Sequence, residues 1–392
     1  MTGTARPALI ALALAAAAAA LTAGCGTAAS SGPGAASQAP PAGAPSLATS
    51  LVTPAGTWAI AVMGGSVATH NNFWQMFARP AGSATWKLVT PPGVADNGGL
   101  VAASASAGPL ITGIRPSQYL TYTPLALTHD DGQAWSPAGP LDAALADVPD
   151  ALAAAPGTGH LLALLTNGTV KAAAPGYTRW TTLTSQRSLA TTSAGRRCGL
   201  TALTASAFTP SGTPLLAGQC GRPGIPGIFA ASNGTWQAVG PALPATLDHQ
   251  HATVLRLTRT STGNAALLEA GTGPDASLLA AWSTGNGDHW ALSPVVRLRG
   301  ARLTSASFSA SGAVAVVLTG NRTETITGPG APWRPLPALP GGTATLAPGP
   351  SGGFDALAVR RTTLTVWQLG PAATAWRATQ VMNVPVQFGS SG

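Results

Sequence analysis

Glutamate and tyrosine, two side chains that carry acid, base and nucleophilic chemistry in glycosidases, are scarce in this sequence. The glutamates are Glu269 and Glu324, and the tyrosines are Tyr119, Tyr122 and Tyr177. A glycosidase places two carboxylates on either side of the scissile bond, and no two acidic residues here are spaced to indicate such a pair. No Ser/His/Asp order suggests a triad either. We therefore identify no catalytic residue, and an enzymatic function is not the favoured interpretation.

The densest group of metal-ligand side chains is Asp248-His249-Gln250-His251. Two His and one Asp within four residues could bind a metal ion, but no third cluster of ligands accompanies them. A polar loop is the simpler interpretation, so we predict neither a metal site nor a cofactor. Asp142, Asp147 and Asp150 form an acidic stretch that is typical of a solvated loop edge.

The three cysteines fall into two groups: Cys25 near the N-terminus, and the pair Cys198 and Cys220. Cys25 follows a short segment with Arg6 and an apolar run over residues 7–21, which is the layout of an export signal. Residues 21–25 resemble a bacterial lipobox, in which the Cys becomes lipidated at the mature N-terminus, although Thr22 stands where an aliphatic residue is usual. We expect a lipoprotein signal peptide over residues 1–24 and lipidation of Cys25. A plain secretory signal with an incidental Cys is the alternative.

Residues 25–50 begin with that lipidated Cys and are rich in Ala, Gly, Ser and Pro, without a charged side chain. Such a segment buries too little apolar surface to fold, so we predict a flexible linker. Cys198 and Cys220 remain, and an even pair outside the cytoplasm predicts a disulfide. Free thiols or a metal-binding pair are the alternatives, which the lack of a nearby His disfavours. We expect the protein at the cell membrane, lipid-anchored on the extracytoplasmic side, because no second apolar run is long enough to span.

A turn whose first and last residues are expected to hold it in place is predicted at Thr128-His129-Asp130-Asp131-Gly132-Gln133-Ala134-Trp135. Asp130 can accept hydrogen bonds from nearby backbone N–H groups, and Gly132 can adopt the positive φ that such a turn needs. Trp135 is a large apolar side chain that is expected to be buried in the core. The spacing of Thr128, Asp130, Gly132 and Trp135 resembles the Asp-box, or BNR repeat, of sialidase-like β-propellers. The resemblance implies a structural turn rather than a reaction, and the motif is intact once in the chain.

Two further markers recur at intervals along residues 51–392, and self-similarity of this kind indicates a repeat architecture. One is a tryptophan that opens a polar segment, at Trp86, Trp135, Trp180, Trp236, Trp290, Trp333 and Trp376. The other is a glycine between two apolar runs, at Gly56, Gly108, Gly159, Gly212, Gly263, Gly312 and Gly352. The runs are short and broken by Gly, Pro and Asn, which indicates strands. We predict an all-β domain over residues 51–392, a seven-bladed β-propeller of four-stranded antiparallel blades, with six or eight blades as the alternatives.

Charged residues make up 8% of the chain, with 20 basic and 12 acidic side chains. No Lys/Arg cluster with interleaved aromatics occurs, so we do not predict nucleic-acid binding. The strand assignment places ten arginines in loops that a propeller directs to one face. Six of them form the predicted anion-binding face: Arg115, Arg197, Arg222, Arg299, Arg322 and Arg361. The alternative to an anion-binding face is that the arginines lie in loops only because strands do not tolerate charged side chains.

The sequence thus predicts a membrane-anchored lipoprotein with a non-catalytic propeller. Its partners would be the membrane, through the anchor, and a protein or an acidic glycan or cell-wall polymer, because arginine-rich surfaces attract anions. A divergent sialidase-like glycoside hydrolase or lyase that uses the axial cavity is the alternative. A propeller that assists the assembly of another envelope protein is a third hypothesis.

Overall fold

The computed structural model describes residues 48–64, 72–91, 100–104, 110–114, 125–137, 149–285, 287, 289–349 and 352–384. These residues belong to one compact unit, Pro40–Gly392. The predicted signal peptide, Cys25, most of the linker and Arg115 lie outside the described residues. Within the described part, no helix has the length and apolar character needed to cross a membrane.

Four-stranded antiparallel units repeat along the chain, and the first three precede two short helices. The first unit is β1 Ala48–Thr53, β2 Gly56–Gly64, β3 Asn72–Pro80 and β4 Lys87–Leu88. The second is β5 Leu100–Ser104, β6 Leu110–Ile114, β7 Leu125–Thr128 and β8 Ser136–Pro137. The third is β9 Pro149–Ala154, β10 Leu161–Leu165, β11 Thr169–Ala173 and β12 Trp180–Ser185. The helices are α1 Gln186–Thr191 and α2 Ser193–Cys198.

The same arrangement continues to the end of the described chain. The strands of the next unit are β13 Leu200–Phe208, β14 Pro214–Cys220, β15 Gly227–Ser232 and β16 Thr235–Ala238. Then come β17 Ala252–Arg259, β18 Gly263–Ala270, β19 Ser277–Thr284 and β20 His289–Leu292, with β21 Val296–Arg297 added beside β19. They are followed by β22 Leu303–Phe308, β23 Val314–Leu318, β24 Arg322–Ile326 and β25 Arg334–Pro335. The last unit is β26 Thr343–Pro348, β27 Phe354–Arg360, β28 Thr363–Leu369 and β29 Arg377–Asn383.

This architecture is an all-β propeller, as the repeats predicted. Each unit begins with its innermost strand, and four antiparallel strands return the chain to the face from which it started. Neighbouring innermost strands therefore run in the same direction. β1 and β22 even pair in parallel, at Ala48↔Ser305 and Thr49↔Ala306, and so join the first and the penultimate units into one eight-stranded sheet.

Apolar clusters fill each space between consecutive units, and the seven tryptophans of the repeat belong to them. Three of their indole N–H groups also donate to a carbonyl of the preceding unit: Trp135 to Val89 at 2.8 Å, Trp333 to Pro294 at 2.8 Å and Trp376 to Pro337 at 3.2 Å. A buried indole N–H needs such an acceptor. The tryptophan at the start of each fourth strand thus packs its unit against the preceding one.

Trp86 makes the corresponding contact between the first and last units. It packs with Ala59 and Phe77 of the first unit and with Leu357 and Val366 of the last. Its indole N–H donates to Asp355 Oδ2 at 2.9 Å, and its backbone exchanges two 2.7 Å hydrogen bonds with the side-chain amide of Gln380.

An ion pair lies under the same tryptophan. Arg79 Nε is 3.3 Å from Asp355 Oδ2, and the two side chains are 5% and 1% exposed. The guanidinium also donates to the carbonyl of Pro348 at 2.8 Å and stacks on the ring of Trp86. Both ends of the described chain therefore meet in one sealed interface.

The Thr128–Trp135 turn lies between the third and fourth strands of its unit. Thr128 Oγ1 donates to Asp130 Oδ1 at 2.8 Å and accepts from the N–H of Gly132, while the same carboxylate oxygen accepts from the N–H of Ala134, four residues on. These bonds lower the pKa of Asp130. Gly132 has φ +82°, and a Cβ there would lie 2.6 Å from Val89 Cβ. The turn thus requires glycine for its backbone and for its contact with the preceding unit.

Candidate functional site

Loops between the second and third strands, and loops between units, emerge on one face of the propeller, which we call the arginine face. Of the predicted residues, the exposed Arg197 lies in the last turn of α2, and Arg222 and Arg361 lie in loops between second and third strands. Arg299 lies between β21 and β22, and Arg322 begins β24. The topology therefore places the five described arginines on the face that the sequence predicted, but not in one cluster.

A disulfide holds one group of arginines together. Cys198 and Cys220 are bonded, with their Cα atoms 5.1 Å apart and both side chains buried. Arg197 precedes the first cysteine, and the backbone N–H of Arg222 donates to the carbonyl of Cys198 at 3.0 Å. The loop around the disulfide thus presents these two exposed guanidinium groups, with Arg196 beside them.

A second group, which we call the Arg297–Arg322 patch, contains Arg297, Arg299, Arg302 and Arg322. The guanidinium of Arg322 donates to the carbonyl of Arg297 at 2.9 Å and to that of Leu298 at 3.3 Å. The N–H of Arg302 donates to Thr319 Oγ1 at 3.0 Å, in the single-turn 3-10 helix that leads into β24. Three of the four side chains are exposed, and none is paired with a carboxylate of the described chain. Within the described residues the patch makes no ion pair, and it lies near Asp275, because the neighbouring Ala276 accepts from the N–H of Leu298 at 2.8 Å; this carboxylate reduces the positive field of the patch.

The axis of the propeller contains a cavity of about 210 Å³. Small side chains of the innermost strands, including Ala103, Ala153 and Ala205, leave this space, and Trp58 and Met76 of the first unit reach its wall. Charged side chains at the wall are Asp150 and, on β17, Arg256 and Arg259. The cavity is therefore a second concave site, separate from the exposed loops.

Burial changes the acid–base properties of these groups. It lowers the pKa of Arg256 to about 10 and also lowers the pKa of Arg259. With a pKa of about 10, Arg256 remains protonated at neutral pH. Asp150 is 8% exposed and accepts a hydrogen bond from Thr166 Oγ1 at 3.3 Å. Asp150 is the only carboxylate at the described part of the wall, which therefore does not display the two acids that a glycosidase uses.

The structure corrects one interpretation of the sequence and adds two residues that the sequence analysis did not name. Asp150 was assigned to a solvated loop edge, but it lies on β9 and is buried, because β9 is an innermost strand. Arg256 and Arg259 were not identified at all. Their signal is a pair of arginines on the first strand of a unit, since the described first strands of the other units carry neither Lys nor Arg.

The Asp248–His251 segment is a largely exposed polar loop between β16 and β17. His249 Nδ1 lies 3.6 Å from Asp248 Oδ1, with both side chains about two-thirds exposed, and His249 Nε2 contacts the amide of Gln250. Within the described residues, no group of three or more His, Cys, Asp or Glu side chains could hold a metal ion.

Comparisons with known proteins agree on the architecture. No protein-family profile and no curated protein matches the sequence. Among solved structures, YCF48 from Cyanidioschyzon merolae is 13% identical, with a TM-score of 0.51 over 84% of this chain and 97% of its own. A protein from Lactobacillus plantarum is 9% identical, with a TM-score of 0.52 over 84% and 96%. At these identities the likeness establishes the β-propeller fold alone.

Proposed function

We propose that this protein is a lipid-anchored, outward-facing, seven-bladed propeller that binds an anionic partner through its arginine face. The partner is an acidic glycan or cell-wall polymer, or a protein with an acidic surface. Seven blades are supported by the four-stranded units, each of which has one tryptophan packed against the preceding unit.

The Arg297–Arg322 patch carries the proposal. Its guanidinium groups project from two loops that are held together by the bonds from Arg322 to Arg297 and Leu298, so the patch needs little reorganisation to bind. Arginine presents a planar set of donors that matches phosphate and carboxylate groups bidentately. A repeating polyanion would contact several of these groups at once.

Binding to two polyanions tests the proposal. The full chain carrying Cys25→Ser would be titrated with poly(glycerol phosphate) and with polygalacturonate. We expect binding at about 0.1 M salt that weakens strongly at about 1 M, because the Debye length falls from roughly 10 Å to 3 Å. No binding of either polymer at the lower salt concentration would contradict the proposal.

A matched pair of triple variants locates the site. Arg297→Gln, Arg299→Gln and Arg302→Gln together should weaken binding about tenfold, since three exposed contacts of roughly 0.5 kcal/mol each are lost. The control changes three exposed arginines of the opposite face, Arg179, Arg334 and Arg377, to Gln and alters the net charge equally. Equal weakening by both triples would show that net charge, and not the patch, is responsible.

The anchor requires a separate test, because Cys25 lies outside the described residues. Cells that express the protein would be labelled with a radioactive fatty acid. We expect label on the wild-type chain, none on the Cys25→Ser variant, and release of that variant from the membrane fraction. An unlabelled wild-type chain would refute lipidation, whatever the outcome of the polyanion titrations.

A further inference from the structure

Among the described residues that line the axial cavity, the one exposed residue, Ala310, lies in the loop between β22 and β23, on the face opposite to the arginine face. Three innermost strands contribute their later residues to its wall, with Thr204–Phe208 of β13, Arg256–Arg259 of β17 and Phe308 of β22, and Ser309 and Ala310 follow in the next loop. Because these strands run from the arginine face to the opposite face, their later residues lie at the opposite face. The cavity therefore requires an explanation of its own.

One end of the cavity is cationic. Arg259 is the last residue of β17, is partly buried, and has no hydrogen bond or ion pair from its guanidinium within the described chain. Asp150 lies near the start of β9 and therefore towards the other end of the axis. A partly desolvated guanidinium attracts an anion more strongly than an exposed one does, because less water competes for it.

The wall also has an unsatisfied hydroxyl group. Ser206 is 5% exposed, lines the cavity, and its Oγ has no hydrogen-bond partner among the described residues. Buried polar atoms in proteins are nearly always paired. The neighbouring Thr204, by contrast, donates to the carbonyl of Val254. A bound solute could supply the missing partner of Ser206.

The remainder of the wall is apolar and aromatic. Trp58, Ile60, Met76, Phe208 and Phe308 all contribute to it. A volume of about 210 Å³ admits one compact organic molecule and excludes a folded segment of a partner.

We propose that the axial cavity binds a small organic carboxylate, with the carboxylate on Arg259 and a compact apolar group against the aromatic wall. The hydroxyl of Ser206 donates to the bound solute. The site is independent of the arginine face, so either can be present without the other.

Ligand-observed NMR and calorimetry on the full chain carrying Cys25→Ser test this with two matched pairs of probes. Phenylacetate and phenylacetamide share an apolar group and differ in charge. Glucuronate and glucose differ in the same way but are hydroxylated. We expect phenylacetate to bind at least ten times more tightly than the other three. Lack of phenylacetate binding at about 10 mM, equal binding of the amide, or preferred binding of glucuronate would each overturn the proposal.

Three variants place the binding event in the cavity. Arg259→Gln should weaken phenylacetate binding at least tenfold, and Arg334→Gln, at an exposed arginine on the outermost strand β25, should leave it unchanged. Ala310→Trp should abolish binding, because Ala310 is an exposed residue at the mouth where a large side chain fits without repacking the core. Unaltered binding by Ala310→Trp, with an unchanged melting temperature, would show that the probe binds elsewhere.

Discussion

Replacement of Asp355 by Ala tests the contact between the first and last units. Asp355 is fully buried, accepts the indole N–H of Trp86 and pairs with Arg79, which is 5% exposed. Burial raises the pKa of Asp355, against the opposing effects of Arg79 and Trp86, and burial also lowers the pKa of Arg79. For both side chains, the unfavourable effect of burial on the charged form thus exceeds the favourable effect of the opposite charge. A variant that leaves Arg79 buried without its partner should therefore be strongly destabilised.

The loss expected for Asp355→Ala is about 3–5 kcal/mol, the usual cost of removing one partner of a buried ion pair. An unfolding entropy of roughly 2.1 cal/mol/K per residue, over a domain of roughly 340 residues, converts about 4 kcal/mol into a fall of roughly 6 °C in Tm. Urea unfolding followed by circular dichroism measures the free energy, and thermal unfolding measures Tm. Asp275→Ala, an exposed position, is the control and should change stability by less than about 0.5 kcal/mol.

A double-mutant cycle completes the experiment. Arg79→Met removes the other charge, so the combined variant has no unpaired buried ion. It should lose about 1–3 kcal/mol less than the sum of the single losses. A loss below about 1 kcal/mol for Asp355→Ala, or strict additivity in the cycle, would refute the reasoning that this pair seals the interface.

Three further predictions concern single features of the fold. Gly132→Ala should lower the free energy of unfolding by about 2–4 kcal/mol, because a positive φ is strained for alanine and the new Cβ would meet the preceding unit. Gly234→Ala, with φ +75° and open space around it, should lower it by only about 1–2 kcal/mol. Similar losses for the two variants in urea unfolding would contradict the contact of Gly132 with the preceding unit. The Cys198→Ser/Cys220→Ser double variant should lose about 3 kcal/mol, the loop-closure value for a separation of 22 residues, and reductant should then have no further effect on its unfolding. Since hydrogen bonds lower the pKa of Asp130, its contribution to stability is present above the ordinary aspartate pKa and is lost as pH falls through the folded value; an NMR titration that returned an ordinary pKa would contradict the turn geometry.

The strands of a single unit could be predicted from the sequence. From Leu303 onwards, the sequence has apolar runs at 303–309 and 313–318 and a more polar run at 324–327, and the structure has strands at Leu303–Phe308, Val314–Leu318 and Arg322–Ile326. Apolar runs and glycine turns determine these strands locally. The recurring tryptophans pack between neighbouring units, because a large apolar side chain at the same position of every unit is buried where adjacent units meet.

What the sequence did not reveal depends on contacts between distant residues. Arg79 and Asp355 are 276 positions apart, and no local pattern connects them. The position of Arg259 beside the axial cavity follows from the way in which innermost strands of different units approach each other. The helices α1 and α2 were also missed, because six-residue helices with side-chain caps leave almost no periodic signal.

Chemical footprinting of arginines is the most direct test of the central claim, that the arginine face binds an anionic partner. The Cys25→Ser chain would be modified with phenylglyoxal, with and without poly(glycerol phosphate), and the modified residues counted by mass spectrometry. We predict that the polymer protects Arg297, Arg299 and Arg302 and leaves Arg179, Arg334 and Arg377 as reactive as before. Equal protection of both sets, or protection of neither at a concentration that saturates binding, would contradict the account.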